Sequence, residues 1–223
     1  MKRSINVITP PQDESGNPVY PVTYDQACVF LHVDPSNPTA QQDLINGCIA
    51  AATGMVEKYI GRALLTQTLQ MEFMPNPPEI LPFRLHLFRA APLQNVLNVT
   101  AYDQEGVAHV QNSDVYHVDT MTIPGRLQLL MGFWWDYYVF GYYTVEYVAG
   151  FGDDPSAVPP EIKQAILAQT SQIYQSAEDF DYAMAPQAEV LLQDWKLDEF
   201  DYTDSSAVKW SPFGTASLGY GYR

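Results

Sequence analysis

The sequence is poor in the residue types from which most catalytic and ligand sites are made. Two cysteines and four histidines occur in 223 residues. Cys28 and Cys48 sit in helical apolar patterns without metal-type spacing, so they read as reduced core thiols of a protein made in the cytosol. A Cys28–Cys48 disulfide is the alternative. His32, His86, His109 and His117 are scattered, and none pairs with Cys, Asp or Glu at a ligand spacing. They read as ordinary surface or core histidines, and no metal or cofactor site is expected. Phosphate-loop, dinucleotide, serine-hydrolase and zinc-protease motifs are all missing.

Basic residues are scarce too: 11 Lys and Arg stand against 26 Asp and Glu, a net charge of −15. Such a chain repels phosphate backbones and lacks the cations that drive nucleic-acid affinity, which excludes tight DNA binding while allowing DNA to pass nearby. No run approaches the ~18 apolar residues of a membrane span, and the start, MKRSINVITPPQDE, has no apolar signal region. The expectation is a chain neither secreted by the usual route nor embedded in a membrane.

Apolar residues make up 47% of the chain, enough for a real core. The organising stretch is Thr39 to Gly61. Leu44, Ile45, Cys48, Ile49, Ala52, Met55, Val56, Tyr59 and Ile60 recur there at helical spacing, predicting a long helix that stops at Gly61. Its other side carries Gly47, Ala50 and Gly54, although a mid-helix glycine costs about 1 kcal/mol relative to alanine. That side is either a wet face that tolerates small residues or a contact face for another helix or subunit.

In chain order, residues 1–21 hold four prolines and read as an extended arm or loop. Thr23 and Gln26 have capping-box spacing, opening a helix over 23–32; the long helix covers 40–60. From Leu64 the period becomes two, and short strands are expected at 64–73, 83–88, 96–102, 107–110, 116–119, 126–130 and 142–147, with a turn at Asp103 to Gly106. Pro159-Pro160-Glu161 opens a helix over 160–177, and a shorter one covers 187–195. The fold class is α+β: a small helical bundle formed by N- and C-terminal helices, an antiparallel β region inserted at 64–148, and an extended C-terminal arm over 196–223.

Three acidic clusters, Asp153-Asp154, Glu178-Asp179-Asp181 and Asp198-Glu199-Asp201, read as solvated loops rather than as the paired carboxylates of a glycosidase. Asp13 to Asn17 is a weak match to a calcium loop and lacks its bidentate glutamate. The aromatic run around Trp134, Trp135 and Tyr137 is either strand core with a covering loop or a surface that stacks sugars or grips a partner. Beyond Lys196 aliphatic periodicity stops, but Tyr202, Trp210, Phe213, Tyr220 and Tyr222 remain. That composition cannot build a core of its own, and it reads as an arm that folds on a partner.

The order of these features is familiar. VTYDQACVFLHVD (22–34), DLINGCIAAATGMVEKYIGRALLTQT (43–68), PLQNVLNVTAYDQEGV (92–107), YHVD (116–119), PGRLQL (124–129) and VEYVAGFGDDPSAVPPEIKQAIL (145–167) together resemble the head-tail connector, or adaptor, proteins of tailed bacteriophages. The resemblance spans about Val22 to Trp195. It implies a non-enzymatic virion protein, assembled in the host cytoplasm, that forms a ring, usually twelvefold, beneath the portal and joins it to the tail or to the next connector protein. Genomic DNA would pass through the ring without sequence-specific binding. The C-terminal segment of that family embraces the portal, which assigns portal docking to Tyr202, Trp210, Phe213, Tyr220 and Tyr222; in a heterologous ring that closes by rotation, the small-residue face at Gly47, Ala50 and Gly54 is the expected subunit contact. The family often ends near an aromatic-basic pair after a proline; here Trp195-Lys196 lacks the proline and a longer tail follows. A different class, a tail-associated carbohydrate-binding or hydrolytic module, would instead use the aromatic run 133–143 and nearby acids.

Overall fold

The computed structural model of the chain describes residues 2–35, 41–74, 84–86, 91–129, 140–176 and 183–197. The first strand, β1 (Lys2–Thr9), occupies the segment expected to be an arm or loop. All four prolines of 1–21 lie after Thr9, so they end the strand without interrupting it. A turn follows in which Asp13 Oδ1 accepts the N–H groups of Ser15 and Asn17, each at 2.8 Å. The stretch that weakly matched a calcium loop is thus closed on its own carboxylate.

Helix α1 (Tyr24–Leu31) starts with the expected capping box: Thr23 Oγ1 accepts Gln26 N–H and Gln26 Oε1 accepts Thr23 N–H. Helix α2 (Gln41–Ile60) buries Ile45, Cys48, Ile49, Ala52, Val56 and Ile60 along one stripe and ends at Gly61, whose φ of +70° suits glycine. Leu44 departs from the expected stripe and is 48% exposed. It lies two turns before exposed Ala51, on the flank that no other described element covers. Cys28 and Cys48 are both buried and free.

The β region divides into two antiparallel sheets, a division that strand periodicity does not reveal. Strands β2 (Gln67–Met74), β4 (Leu93–Asp103), β5 (Ala108–Val110) and β8 (Phe140–Ala149) join β1 in the order β1-β2-β8-β4-β5. Strands β3 (Arg84–His86), β6 (Tyr116–Asp119) and β7 (Arg126–Leu129) form the order β3-β7-β6. Leu127, Val118 and Tyr116 of the smaller sheet pack on Leu69, Met71, Val99 and Val145 of the larger. Tyr143, from the end of the aromatic run, stacks on Phe73 at 5.2 Å inside this core.

Helices α3 (Pro160–Gln175) and α4 (Pro186–Leu192) return to α2. Val56 and Ile60 share one apolar cluster with Ile162, Ile166, Ala188 and Leu192, so elements from both halves of the chain bury a common surface. Leu64 and Leu65 extend that cluster toward the sheet. Close approach is strictest at Gly150, with φ +139°, where an added Cβ would stand 2.4 Å from the Leu65 carbonyl carbon. Gly150→Ala should therefore cost about 3 kcal/mol, near the top of the range for backbone strain. Urea denaturation checks this, and an unchanged midpoint would contradict the packing described.

Candidate docking site

The best-built polar cluster among the described residues lies where α2 ends. Just past Gly61, the buried Arg62 sends its Nε to the backbone carbonyl of Trp195 at 2.6 Å, and its guanidinium carbon stands 5.8 Å from the centre of the Trp195 ring. Burial pushes the Arg62 guanidinium below its ordinary value, yet arginine keeps its charge in proteins. Trp195 also meets Phe151 edge-on at 6.0 Å. The next two residues are held as firmly. Lys196 Nζ lies 4.9 Å over the Tyr59 ring, and Leu197 N–H donates to the Ile60 carbonyl at 2.9 Å.

The path into this clamp is set further back. Buried Gln169 on α3 accepts Ala185 N–H at 2.7 Å and donates to the Ala183 carbonyl at 3.3 Å, fixing the approach to α4. Glu57, one turn before the end of α2, accepts Leu64 N–H and Gln67 Nε2, each at 2.9 Å, and so ties the same helix end to β2. The chain is therefore held against the end of α2 as far as Leu197. Sequence reasoning noted Trp195 only as half of an aromatic-basic pair and did not single out Arg62, for which the available signal was a basic residue straight after a glycine C-cap.

Tyr202, Trp210, Phe213, Tyr220 and Tyr222 lie outside the described residues, as do Trp134, Trp135 and Tyr137. Gly47 and Gly54 are exposed on α2, and nothing lies within 4 Å of a Cβ added at either. Ala50 is half-buried on the flank of the same face.

Chemistry is thin elsewhere. One histidine meets an acid: His109 Nε2 lies 3.0 Å from Asp103 Oδ2 across the β4–β5 turn. Hairpin pairing makes neighbours of residues six apart, which spacing rules for metal sites do not consider. The bond to His109, followed by backbone N–H donation from Val107 and Glu105, holds the Asp103 carboxyl below its usual range. Asp154 is occupied as a turn cap, accepting Ser156 N–H at 2.7 Å. The acidic clusters at 178–181 and 198–201 lie outside the described residues. Among the described residues no group of three or more His, Cys, Asp or Glu could hold a metal ion, and no helix is long and apolar enough to cross a membrane. An open cleft between Thr9–Gln12 and Thr66–Thr68 has Asp153 as its one ionisable group, so it offers no acid–base pair.

Arg62→Ala should lower stability by about 2 kcal/mol, the cost of a charged hydrogen bond and of a carbonyl left unpaired, with a matching change in Trp195 fluorescence. Denaturation followed at tryptophan and by circular dichroism reads both. Because the folded Asp103 titrates below its unfolded value, its contribution is complete above about pH 4 and is lost as pH falls through the folded value. Asp103→Asn should therefore show a shallower loss of stability on acidification than the parent chain, read from melting temperatures across that range.

No protein-family model and no curated protein matches the sequence. Solved structures do match. A chain from the neck of the empty gene transfer agent particle, computed with C6 symmetry, aligns with a TM-score of 0.69 at 17% identity, covering 86% of this chain and 95% of that one. A chain from the virion of the native particle aligns at 0.65 and 18%, covering 86% and 94%. A chain from the native neck computed with C12 symmetry aligns at 0.58 and 21%, covering 71% and 87%. The chain thus has the α+β fold of chains found in the neck and virion of gene transfer agent particles.

Proposed function

We propose that the chain is a structural virion protein that forms a ring at the portal vertex, joins the capsid to the tail, and continues the DNA channel. The observation that carries this reading is the shared fold with gene transfer agent neck chains over 86% of this chain. The connector-like order of six sequence motifs supports it independently. Its location would be the virion neck, its partners the portal protein, the tail or next connector protein, and further copies of itself. It would work by docking and assembly, without catalysis. A net charge of −15 suits a channel wall past which DNA slides without sequence-specific binding.

Three parts of the chain receive roles. The C-terminal segment, launched from the Arg62–Trp195 clamp, docks on the portal through Tyr202, Trp210, Phe213, Tyr220 and Tyr222, since aromatic anchors dominate interfaces. The open face of α2 at Gly47, Ala50 and Gly54 contacts a neighbouring subunit. Trp134, Trp135 and Tyr137 are assigned to a further partner contact.

Mixing the purified chain with its portal protein and measuring mass in solution tests the reading. The full-length chain should join the portal as a ring, and a truncation after Leu197 should not. A full-length chain that stays single and ignores the portal would overturn the assignment. Gly54→Leu should leave the isolated fold intact, because that position faces open space, while abolishing ring formation. Rings formed normally by that variant would remove α2 from the subunit contact.

A further inference from the structure

Among the described residues the five-stranded sheet ends in two edge strands, β1 and β5, of opposite character. At one edge β1 pairs with β2 in unbroken register from Lys2↔Met74 to Val7↔Leu69, and no described strand lies on its other side. At the other edge β5 pairs with β4 through Thr100↔Val110, Ala101↔His109 and Tyr102↔Ala108, again with no second described neighbour. An edge strand displays a row of backbone donors and acceptors ready for another strand. Both edges also present bare β-branched side chains. Val7 and Ile8 are 47% and 49% exposed, and Val107 and Val110 are 52% and 70% exposed.

Their charges are complementary. Lys2 to Gln12 carries Lys2 and Arg3 and no acid, although the chain as a whole has a large acidic excess. The segment around β5, Gln104 to Asp114, carries the exposed acids Glu105 and Asp114 and no lysine or arginine. A first strand whose sequence holds two cations and no acid, and a last strand flanked by two acids, stand at opposite ends of one strand order, so they match each other between copies and not within one copy.

We infer that the β1 edge of one copy adds to the β5 edge of the next, so that the occupant of each edge is a second copy of this chain and the sheets run on from subunit to subunit. This deepens the ring reading above and rests on it. The two edges differ, so the contact is head-to-tail, the type that repeats around a closed ring instead of ending at a dimer. Backbone hydrogen bonds would supply affinity, while the charges select the correct neighbour and register.

Charge reversal gives the test. One variant carries Lys2→Glu with Arg3→Glu, making both of its edges acidic. The other carries Glu105→Lys with Asp114→Lys, placing cations at both edges; Glu105 and Asp114 are exposed, and the Asp114 carboxylate accepts the Asn112 side-chain amide at the surface. Native mass spectrometry of each, alone and with the portal protein, should show loss of the parent oligomer. An equimolar mixture should recover an oligomer of parent size built of alternating copies, a rescue that unfolded variants could not give. If the parent assembles and both variants assemble equally well alone, the edge pairing is overturned while the ring stands. A mixture that stays dispersed, or a parent that stops at dimers, also overturns it. A parent that is single in every condition removes the ring reading itself.

Discussion

The last turn of α2 is the constraint on which the other parts depend. Within six residues, Glu57 takes two hydrogen bonds from the start of the sheet, the Ile60 carbonyl takes Leu197 N–H, Gly61 turns the chain, and Arg62 holds Trp195. Ile60 and Val56 lie beneath, in the cluster shared with α3 and α4. Sheet, helices and C-terminal exit are therefore referred to one point. In the connector role proposed above, such stiffness would favour docking, because a segment binds a partner more tightly when its root is already oriented.

The architecture also separates rigidity from recognition. The interior is conventional, with tyrosines, leucines and isoleucines packed between two sheets and beside four helices. Unusual composition lies at the edges and beyond: a cationic first strand, an acidic hairpin edge, a glycine-rich helix face, and a tyrosine- and tryptophan-bearing tail. Carboxylates serve turns at Asp13, Asp103 and Asp154.

Local rules made much of this legible beforehand. The capping box at Thr23, the glycine stop at Gly61, the turn at Asp103 to Gly106 and the strand at Tyr116–Asp119 each follow from interactions within a few residues, and each is where the sequence placed it. What was not legible depends on contacts between distant residues. Prolines near Lys2–Thr9 masked a strand whose existence depends on a partner sixty residues away. The division into two sheets depends on pairings that alternation cannot specify. The Arg62–Trp195 clamp joins positions 133 residues apart, and neither residue is unusual in its own neighbourhood.

The central claim is that this fold sits in a virion neck with its C-terminal segment directed at the portal. Electron cryomicroscopy of the portal vertex of the particle that encodes the chain tests it most directly. The account expects a ring of this fold between portal and tail, with density continuing from Leu197 onto the portal. A vertex lacking the chain, or a ring whose C-terminal segments point away from the portal, would contradict it.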